Sequence, residues 1–418
     1  MRRVVVTGMG ICSPIGNTLD EVSASLRNGV SGITAAPQFA EWNFPCQIGA
    51  FVKDLPDVPV ERDIKRVFGE GNLLRFGYYA SYMAIQDSGL TAAELETAGI
   101  IFGSGGPSTR DQVNAAVQTM KNKEENKRFR VNPFVVLPTM ASGAVAVIAT
   151  AFKIRRMNFA VSAACATSAI AIGEAAEKIL LGRADIMLAG GAESADWELA
   201  EGFDGMQAMC RDSNDNPTHG SRPFDASRAG FVLGEGAATV VLEELEHAKA
   251  RGARIYAELV GYGTSSDGKH LTNPDQDGAE RSMREALEGF GGRATTLFDV
   301  EYLNTHGTST PAGDANELRA MKSIFGKFPP DFNSTKSLTG HSLGAAGAQE
   351  AVYSLLMMRD EFISATDVQT PDPLVEELGL SGHLVRELRT DEPLDCVMSN
   401  SFGFGGVNAT LIFRSYHE

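Results

Sequence analysis

The order of apolar runs constrains the fold of this chain more than any other feature. Short apolar runs that end in glycine alternate with longer amphipathic stretches rich in Ala and Glu, which is typical of strands alternating with helices in an α/β protein. The first half predicts strands over residues 4–7, 99–103, 159–162 and 186–189, and a helix over 169–181. Because strands that alternate with helices pair side by side, we expect them to be mostly parallel.

The second half repeats this order. Residues 255–261 correspond to the opening strand, 300–304 to the strand over 99–103, and 344–358 to the helix after Cys165. The simplest explanation is a duplicated βαβ unit. We place the division in the charged stretch 246–254, giving an N-terminal half over 1–250 and a C-terminal half over 251–418. No Pro-rich or Ser-rich linker separates them, so we expect the halves to pack tightly.

Composition excludes several classes of protein. The chain has 418 residues, with 43% hydrophobic and 22% charged residues, as in a globular enzyme. A formal net charge of −16 argues against a general nucleic-acid partner. Five scattered cysteines without C-x-x-C spacing predict a reducing compartment and no metal site. No export signal is visible, and polar residues and Pro138 interrupt the apolar stretch 134–154, which we interpret as a buried helix. We therefore expect a cytoplasmic protein without a membrane partner.

Cys165 is the first candidate for chemistry. It lies at the junction of a predicted strand and the following helix, flanked by the small residues Ala163, Ala164 and Ala166. Helix N-terminal amides at this position favour a thiolate, so we expect a lowered thiol pKa. A cysteine buried as a small hydrophobe is the structural alternative.

Two histidines lie at comparable junctions in the second half. His306 follows the apolar run 300–304, and His341 precedes the predicted helix over 344–358. Duplication would place His341 and Cys165 at corresponding turns, which predicts one site between the halves. Lys336 and Glu317 are candidates to orient and polarise the two rings, and an exposed ion pair is their structural alternative.

Glycine-rich segments suggest further site elements. The loop 403–406, with Phe404 at its centre, could supply an oxyanion donor and gate an apolar channel, or could be a simple hairpin turn. Residues 340–344 match the G-x-S-x-G serine nucleophile motif around Ser342, but the residues upstream are polar where that motif needs a strand. Gly8 and Gly10 begin like a dinucleotide-binding fingerprint whose third glycine is misplaced.

Two basic groups stand out against the acidic background. They consist of Lys121, Lys123, Lys127, Arg128 and Arg130, and of Arg62, Lys65 and Arg66. These groups could be a solvated surface or a docking patch for an acidic partner.

Taken together, Cys165, His306 with 307–310, Lys336, the 340–344 segment and the 403–406 loop resemble the β-ketoacyl-[acyl carrier protein] synthases of the thiolase superfamily. Segments 103–106 and 140–143 are most similar to synthase I, the elongating enzyme of bacterial type II fatty acid synthesis. The resemblance implies a five-layered αβαβα duplicated fold and a homodimer. It also implies decarboxylative Claisen condensation of malonyl-carrier protein with an acyl group, without a metal or other cofactor.

The resemblance also implies roles for individual residues. Cys165 would carry the acyl group, His306 and His341 would bind the malonyl thioester carbonyl, and the amides of Cys165 and Phe404 would form the oxyanion hole. Lys336 would act beside the histidines with Glu317 as its buried acidic partner, and Thr308 and Thr310 would hold the phosphopantetheine. Gly106, Met140 and Phe203 complete the implied substrate-binding set, with Met140 closing the partner subunit's acyl pocket. Acyl carrier protein is acidic, which favours the docking interpretation of the basic groups.

Some segments depart from the synthase I pattern. Val407 replaces the usual Thr after the glycine loop, Pro107 follows the 103–106 segment, and segments 234–236 and 269–274 are more like synthase II. A synthase II-like or specialised lipid or polyene ketosynthase is therefore an alternative. From other classes, the alternatives are a serine esterase using Ser342 and a non-catalytic subunit like a polyketide chain-length factor, although such subunits usually lack the cysteine.

Overall fold

The computed structural model describes residues 2–290 and 293–417. Its strands are β1 (Val4–Cys12), β2 (Ile33–Ala35), β3 (Ile48–Ala50), β4 (Gly99–Gly103), β5 (Asn158–Val161), β6 (Ile186–Glu193), β7 (Gly236–Glu244), β8 (Ala257–Ser266), β9 (Tyr302–Asn304), β10 (Asp331–Asn333), β11 (Phe362–Ile363), β12 (Arg389–Thr390), β13 (Cys396–Gly403) and β14 (Val407–Arg414).

The helices are α1 (Leu19–Asn28), α2 (Pro37–Glu41), α3 (Arg62–Lys65), α4 (Leu73–Ser88), α5 (Ala92–Thr97), α6 (Thr109–Glu124), α7 (Val136–Thr139), α8 (Gly143–Phe152), α9 (Thr167–Leu180), α10 (Trp197–Gly205), α11 (Leu245–Ala250), α12 (Gln276–Glu288), α13 (Pro311–Phe325), α14 (Lys336–Thr339), α15 (Ala346–Asp360) and α16 (Pro373–Glu377). Single 3₁₀ turns cover Pro217–His219 and Leu343–Ala345. None of the described helices combines the length and apolar character needed to span a membrane.

Ten strands form one mixed sheet with an internal symmetry. Their order is β10-β9-β13-β14-β8-β1-β7-β6-β4-β5. The β1–β8 pair lies at the centre and joins two half-sheets, in which β1 corresponds to β8, β7 to β14, β6 to β13, β4 to β9 and β5 to β10. The strands of one half-sheet all precede residue 250 and those of the other all follow it.

Helices complete five layers around the two half-sheets. α9 and α15 pack against each other and against strands of both half-sheets, so they form the central layer. α4 and α8 cover the outer face of the first half-sheet, and α12 and α13 cover that of the second. The largest apolar core lies between the half-sheets, where α9 and α15 bury small side chains such as Ala171, Ala175 and Ala348. The predicted five-layered duplicated αβαβα fold is confirmed.

The prediction of a mostly parallel sheet is wrong. β4 pairs in parallel with β5 and β6, and β9 with β10 and β13. The pairs β1–β7, β1–β8, β6–β7, β13–β14 and β14–β8 are antiparallel. Strands buried on both faces have the same apolar pattern in either direction, so sequence periodicity does not reveal the orientation of a strand.

Two predicted elements have different bounds. β1 continues through Gly8 and Gly10 to Cys12. Glycine is needed there because the backbone of α4 lies so close that a Cβ at Gly10 would meet the Ala80 carbonyl oxygen at 2.0 Å. The buried helix expected over 134–154 is instead two helices, α7 and α8. They are separated at Met140, whose extended backbone (φ −98°, ψ 142°) ends α7.

Candidate active site

Cys165 lies in a tight turn between β5 and α9. Ala164 has a left-handed backbone (φ 48°), which is strained for a residue with a Cβ and turns the chain sharply toward the helix. The Ala163 N–H donates to the Thr167 hydroxyl at 2.7 Å, which ties the turn to the first residue of α9. These contacts place the Cys165 side chain at the N-terminus of the central helix, with 8% of the residue exposed.

A cavity of about 520 Å³ opens at this turn. Among the residues predicted from the sequence, it is lined by Cys165, His306, His341, Thr308, Thr310, Phe203, Phe404 and Glu317. Gly106, Met140 and Lys336 are not part of its described lining. The cavity therefore brings the thiol and both imidazoles together from opposite halves of the chain.

The thiol and the two imidazoles form a compact cluster. Cys165 Sγ and one ring nitrogen each of His306 and His341 lie within 4.8 Å of one another. The imidazole centroids are 5.2 Å apart and the rings are nearly perpendicular, at 83°. Among the described residues, His306 Nδ1 and both ring nitrogens of His341 are buried without a hydrogen-bond partner. Buried polar atoms are normally paired, so unpaired nitrogens beside a cavity are suited to contact a ligand.

The expectation of a lowered thiol pKa is wrong for this site. Burial raises the pKa of the Cys165 thiol to about 12, because the sulfur is removed from water. The positive charge of Lys336 and the amides of Phe404 and Cys165 lower the pKa, but their effect is smaller than that of burial. Cys165 is therefore a neutral thiol here, and it has to lose its proton before it can act as a nucleophile.

Both imidazoles are neutral as well. Burial, followed by the charge of Lys336, holds the pKa of His306 and of His341 well below the ordinary histidine value. A neutral imidazole can accept the proton of a thiol or donate one N–H to a carbonyl oxygen. The cluster therefore contains the groups needed for proton transfer and for carbonyl recognition.

Lys336 pairs with an acid that the sequence analysis missed. Its Nζ donates to Glu350 on α15, and both side chains are only 2% exposed. The exposed ion pair considered for Lys336 is thus excluded, and its contact partner is Glu350 instead of Glu317. Glu350 could have been noticed as the one charged residue of α15 before its last two residues, although its contact with Lys336 is a tertiary one.

Glu317 instead holds the backbone around His306. Its carboxylate accepts the N–H of His306 at 2.9 Å and that of Gly307 at 2.8 Å. The Asn400 side chain donates to the same group at 3.1 Å. Burial raises the pKa of Glu317 to about 7, against the effect of these donors. Glu317 fixes the direction in which His306 leaves β9.

Backbone hydrogen bonds to residues 232–234 fix the position of His341. Its N–H donates to the Val232 carbonyl at 2.7 Å, and its carbonyl accepts the Gly234 N–H at 2.9 Å. A Cβ at Gly234 would lie 2.7 Å from the Thr339 carbonyl oxygen, so only glycine allows this close approach. His341 is therefore attached to an extended segment of the first half of the chain.

Glu193 is a second residue that the sequence analysis missed. At the end of β6, its carboxylate accepts the N–H of Gly105 at 2.7 Å and that of Gly344 at 3.1 Å. It thereby connects the loop after β4 to the turn after His341. Burial raises its pKa to about 8. The visible signal was an acid at the end of an apolar, glycine-containing strand.

Two threonines lie at the cavity wall beside His306. The hydroxyls of Thr308 and Thr310 are 3.0 Å apart and can donate or accept. The Thr308 N–H donates to Asp314 at 3.0 Å, and Asp314 in turn lies 3.3 Å from Arg228. These contacts fix a polar strip that suits an amide-containing chain.

The 403–406 loop is both a hairpin turn and part of the cavity. It connects β13 to β14, and Gly403 packs so closely that a Cβ there would lie 3.1 Å from the Cys165 amide nitrogen. The Phe404 ring is 38% exposed and lies 6.3 Å from the ring of Phe203, centroid to centroid. This loop brings the backbone amide of Phe404 close to the Cys165 sulfur and places the Phe404 ring at the cavity.

Ser342 does not share the cavity. Its hydroxyl donates to Gln349 on α15, and the residue is 3% exposed. The G-x-S-x-G match is therefore a structural turn before the central helix, and it does not present a serine nucleophile.

The predicted basic groups are exposed. Lys121 and Lys123 lie in the last turn of α6, Lys127, Arg128 and Arg130 follow it, and Arg62, Lys65 and Arg66 lie on and just after α3. α6 packs against α10, the helix that supplies Phe203 to the cavity.

Fold and site together define the class of this protein. A cysteine before one central helix and a histidine before the other, in a duplicated five-layered fold, are the features of a thiolase-type condensing enzyme. Two family models match the chain: "Beta-ketoacyl synthase, N-terminal domain" over residues 1–248 and "Beta-ketoacyl synthase, C-terminal domain" over 256–367. The chain belongs to the β-ketoacyl synthase family.

Individual relatives agree with this assignment. The chain is 45% identical over 420 residues to 3-oxoacyl-[acyl-carrier-protein] synthase 1 of Haemophilus influenzae, covering 100% of both chains. A crystal structure of a β-ketoacyl synthase from Burkholderia phymatum superimposes with a TM-score of 0.90 at 34% identity, again over 100% of both chains. A type II PKS ketosynthase in complex with its acyl-carrier protein gives a TM-score of 0.85 at 28% identity, over 100% of both chains.

Proposed function

We propose that this chain is a 3-oxoacyl-[acyl carrier protein] synthase that condenses an acyl group held on Cys165 with a malonyl thioester. The observation that carries this proposal is the cluster of one thiol and two unpaired imidazoles, within 4.8 Å of one another at the wall of a cavity. The 45% identity to a synthase 1 over the full length supports the same reaction.

In the first half-reaction, the Cys165 thiol attacks the thioester carbonyl of the acyl-carrier protein. A neutral imidazole of the cluster accepts the thiol proton, which a thiol with a pKa of about 12 does not release by itself. Charge develops on the carbonyl oxygen, and we assign its stabilisation to the amides of Cys165 and Phe404, which both lower the pKa of the thiol. The phosphopantetheine thiolate leaves and takes up the proton.

In the second half-reaction, a malonyl thioester occupies the cavity and loses carbon dioxide. The electrons of the broken C–C bond become an enolate, whose oxygen accepts hydrogen bonds from His306 and His341. Neutral imidazoles each have one N–H to donate, consistent with their lowered pKa values. The enolate carbon attacks the acyl-Cys165 carbonyl, and the thiolate that leaves recovers a proton. The electron pair comes from the substrate, so the proposed reaction uses no metal or redox cofactor.

Thr308 and Thr310 support binding of the carrier's phosphopantetheine arm. Both residues line the same cavity as the histidines, and the arm offers amide groups for their hydroxyls to contact. The exposed basic groups around α3 and α6 support docking of an acidic carrier protein beside α10. A ketosynthase of the same fold has been solved with its acyl-carrier protein.

We also propose that the enzyme is a homodimer. β5 is an edge strand of the ten-stranded sheet, and its Phe159 is 39% exposed. Phe134 and Val136, near α7, are also exposed. A second copy that covers this edge would bury apolar side chains and satisfy the strand's open backbone groups. It would also give Met140 a place against the partner's acyl pocket.

The subtype and compartment are further parts of this proposal. Similarity to a synthase 1 supports an elongating role in fatty acid synthesis. Val407, at the start of β14, and the synthase II-like segments keep a synthase II-like or specialised ketosynthase as the alternative. Five unpaired cysteines, all buried, support a reducing compartment such as the cytoplasm.

Mass spectrometry of the intact enzyme after brief exposure to a long-chain acyl-carrier protein tests the proposal. We expect one acyl adduct on Cys165, and its loss with formation of the 3-oxoacyl product after malonyl-carrier protein is added. An adduct on Ser342 would support the esterase alternative. No adduct at any residue would support a non-catalytic subunit.

A further inference from the structure

We propose that Cys165, His306 and His341 also form a reversible inhibitory site for Zn²⁺ when no thioester occupies the cavity. This inference rests on the geometry of the three side chains and not on the proposed condensation. The missing C-x-x-C pattern excludes only a local zinc-binding motif. Here the three donors come from sequence positions far apart and meet between the two halves.

The donor set suits zinc in type and in spacing. One thiolate sulfur and two imidazole nitrogens are preferred zinc ligands, whereas Mg²⁺ and Ca²⁺ prefer oxygen. Tetrahedral zinc, with Zn–S of about 2.3 Å and Zn–N of about 2.0–2.1 Å, separates its donors by roughly 3.4–3.6 Å. The three donor atoms already lie within 4.8 Å of one another. Side-chain rotations that shift each atom by about 1 Å would complete the site.

A second observation points to a ligand at the same place. His306 Nδ1 and both ring nitrogens of His341 are buried among the described residues without a hydrogen-bond partner. A metal ion that accepts one lone pair from each ring would give one nitrogen of each imidazole a partner. The ring of His341 packs edge-on against Phe231, with centroids 5.6 Å apart, instead of against a carboxylate.

The packing of the His341 ring against Phe231 also explains why zinc binding should be reversible. Histidines in permanent zinc sites usually donate their second nitrogen to a carboxylate or carbonyl, which orients the ring and strengthens the bond. His341 has no such contact here. All three proposed ligands line the cavity of about 520 Å³, from which a water molecule could complete the tetrahedron.

The proposed complex gains one net positive charge. Zn²⁺ replaces the proton of the Cys165 thiol, which is released to the buffer, and the two imidazoles bind without losing a proton. The complex then carries one positive charge more than the free site. The neighbouring Lys336 is paired with Glu350, and the buried carboxylate of Glu193 also acts on the Cys165 sulfur. Bound zinc would occupy the sulfur and prevent acyl transfer to it.

Alkylation of Cys165 by iodoacetamide, followed by peptide mass spectrometry, measures this binding without any carrier protein. We expect Zn²⁺ to slow the alkylation of Cys165, EDTA to restore it, and Mg²⁺ to leave it unchanged. Substituting either ligand, in His306→Ala or His341→Ala, should weaken the zinc protection roughly tenfold or more. His417→Ala, which removes an exposed histidine outside the cavity lining, is the matched control and should behave as wild type.

Cobalt provides a spectroscopic test on the unmodified fold. Co²⁺ bound in this site should give a thiolate-to-cobalt charge-transfer band, absent from Cys165→Ser and from wild-type enzyme already alkylated on Cys165. The alkylated enzyme keeps the wild-type sequence, so the test does not depend on a variant that folds. Zinc protection that persists in both histidine variants, or cobalt binding without the thiolate band, would overturn the proposal.

Discussion

Lys336 offers a test of the electrostatic argument, because its positive charge acts on all three members of the cluster. It lowers the pKa of the Cys165 thiol and of both imidazoles, and it is paired with Glu350 in a site where each side chain is 2% exposed. Lys336→Met keeps the unbranched apolar part of the side chain and removes the charged amino group. We expect this single change to reduce both stability and thiol reactivity.

The stability cost follows from the burial of the pair. Removing one partner of a buried ion pair leaves the other charge uncompensated and costs about 3–5 kcal/mol of unfolding free energy. Burial already raises the pKa of Glu350 from an ordinary 4.5 to about 7, so folding favours its protonated form and stability falls as pH rises between these values. Without Lys336 the pKa rises further. The free energy of unfolding that the variant loses relative to wild type should therefore be larger at pH 9 than at pH 5.

Reactivity should change for a separate reason. Loss of the Lys336 charge raises the pKa of the Cys165 thiol, and each unit of increase reduces the thiolate fraction about tenfold at a fixed pH. Denaturant unfolding at the two pH values measures stability, and the rate of iodoacetamide alkylation measures thiolate. Lys327→Met, which removes an exposed lysine, is the matched control and should leave both unchanged.

A double variant separates the two effects. Lys336→Met combined with Glu350→Leu removes both charges and should recover most of the lost stability, since apolar replacements of buried pairs are often tolerated. It should not recover the alkylation rate, because the positive charge is still missing. A Lys336→Met variant as stable as wild type at pH 9, or a double variant alkylated at the wild-type rate, would refute this reasoning.

Three further predictions follow from the site. Cys165→Gln should abolish condensation and retain malonyl decarboxylation, measured as carbon dioxide release; undiminished condensation would contradict the role of the thiol. Charge reversal of Lys127 and Arg128 should weaken turnover with carrier-bound substrate and spare a pantetheine thioester, while equal loss with both would exclude carrier docking at this surface. Glu193→Ala leaves the half-buried amide of Gly105 and the buried amide of Gly344 without this acceptor and should cost about 2–5 kcal/mol in denaturant unfolding. Glu193→Gln keeps an acceptor and should recover part of that loss, whereas equal stability of Glu193→Ala and wild type would show that the contacts with Gly105 and Gly344 contribute little.

The sequence was most informative where a local pattern has a local cause. The strand β4 was predicted at its observed bounds, and α9 within two residues of its start. The repeated order of elements identified the duplication, and with it the placement of Cys165 and His341 before corresponding helices. Each of these inferences needs only the periodicity of apolar residues and small residues at a turn, and both can be identified from the sequence alone.

Strand direction and electrostatics could not be predicted in this way. The sequence suggested a lowered pKa for Cys165 from its position at a helix N-terminus, whereas the folded protein buries the sulfur and raises the pKa. Burial of one atom depends on every element packed around it. For the same reason the family resemblance implied Glu317 as the partner of Lys336, whereas the contact is with Glu350.

The amino-acid sequence by itself therefore predicted which residues meet at the candidate site, because the cysteine, the two histidines and the glycine loop each stand at a recognisable boundary between a strand and the next element. Only the tertiary structure decided how these groups act on one another. The short distances between groups from the two halves, and the burial of these groups, arise from the packing of α9 against α15. Coulomb energies depend on those distances and desolvation energies on that burial.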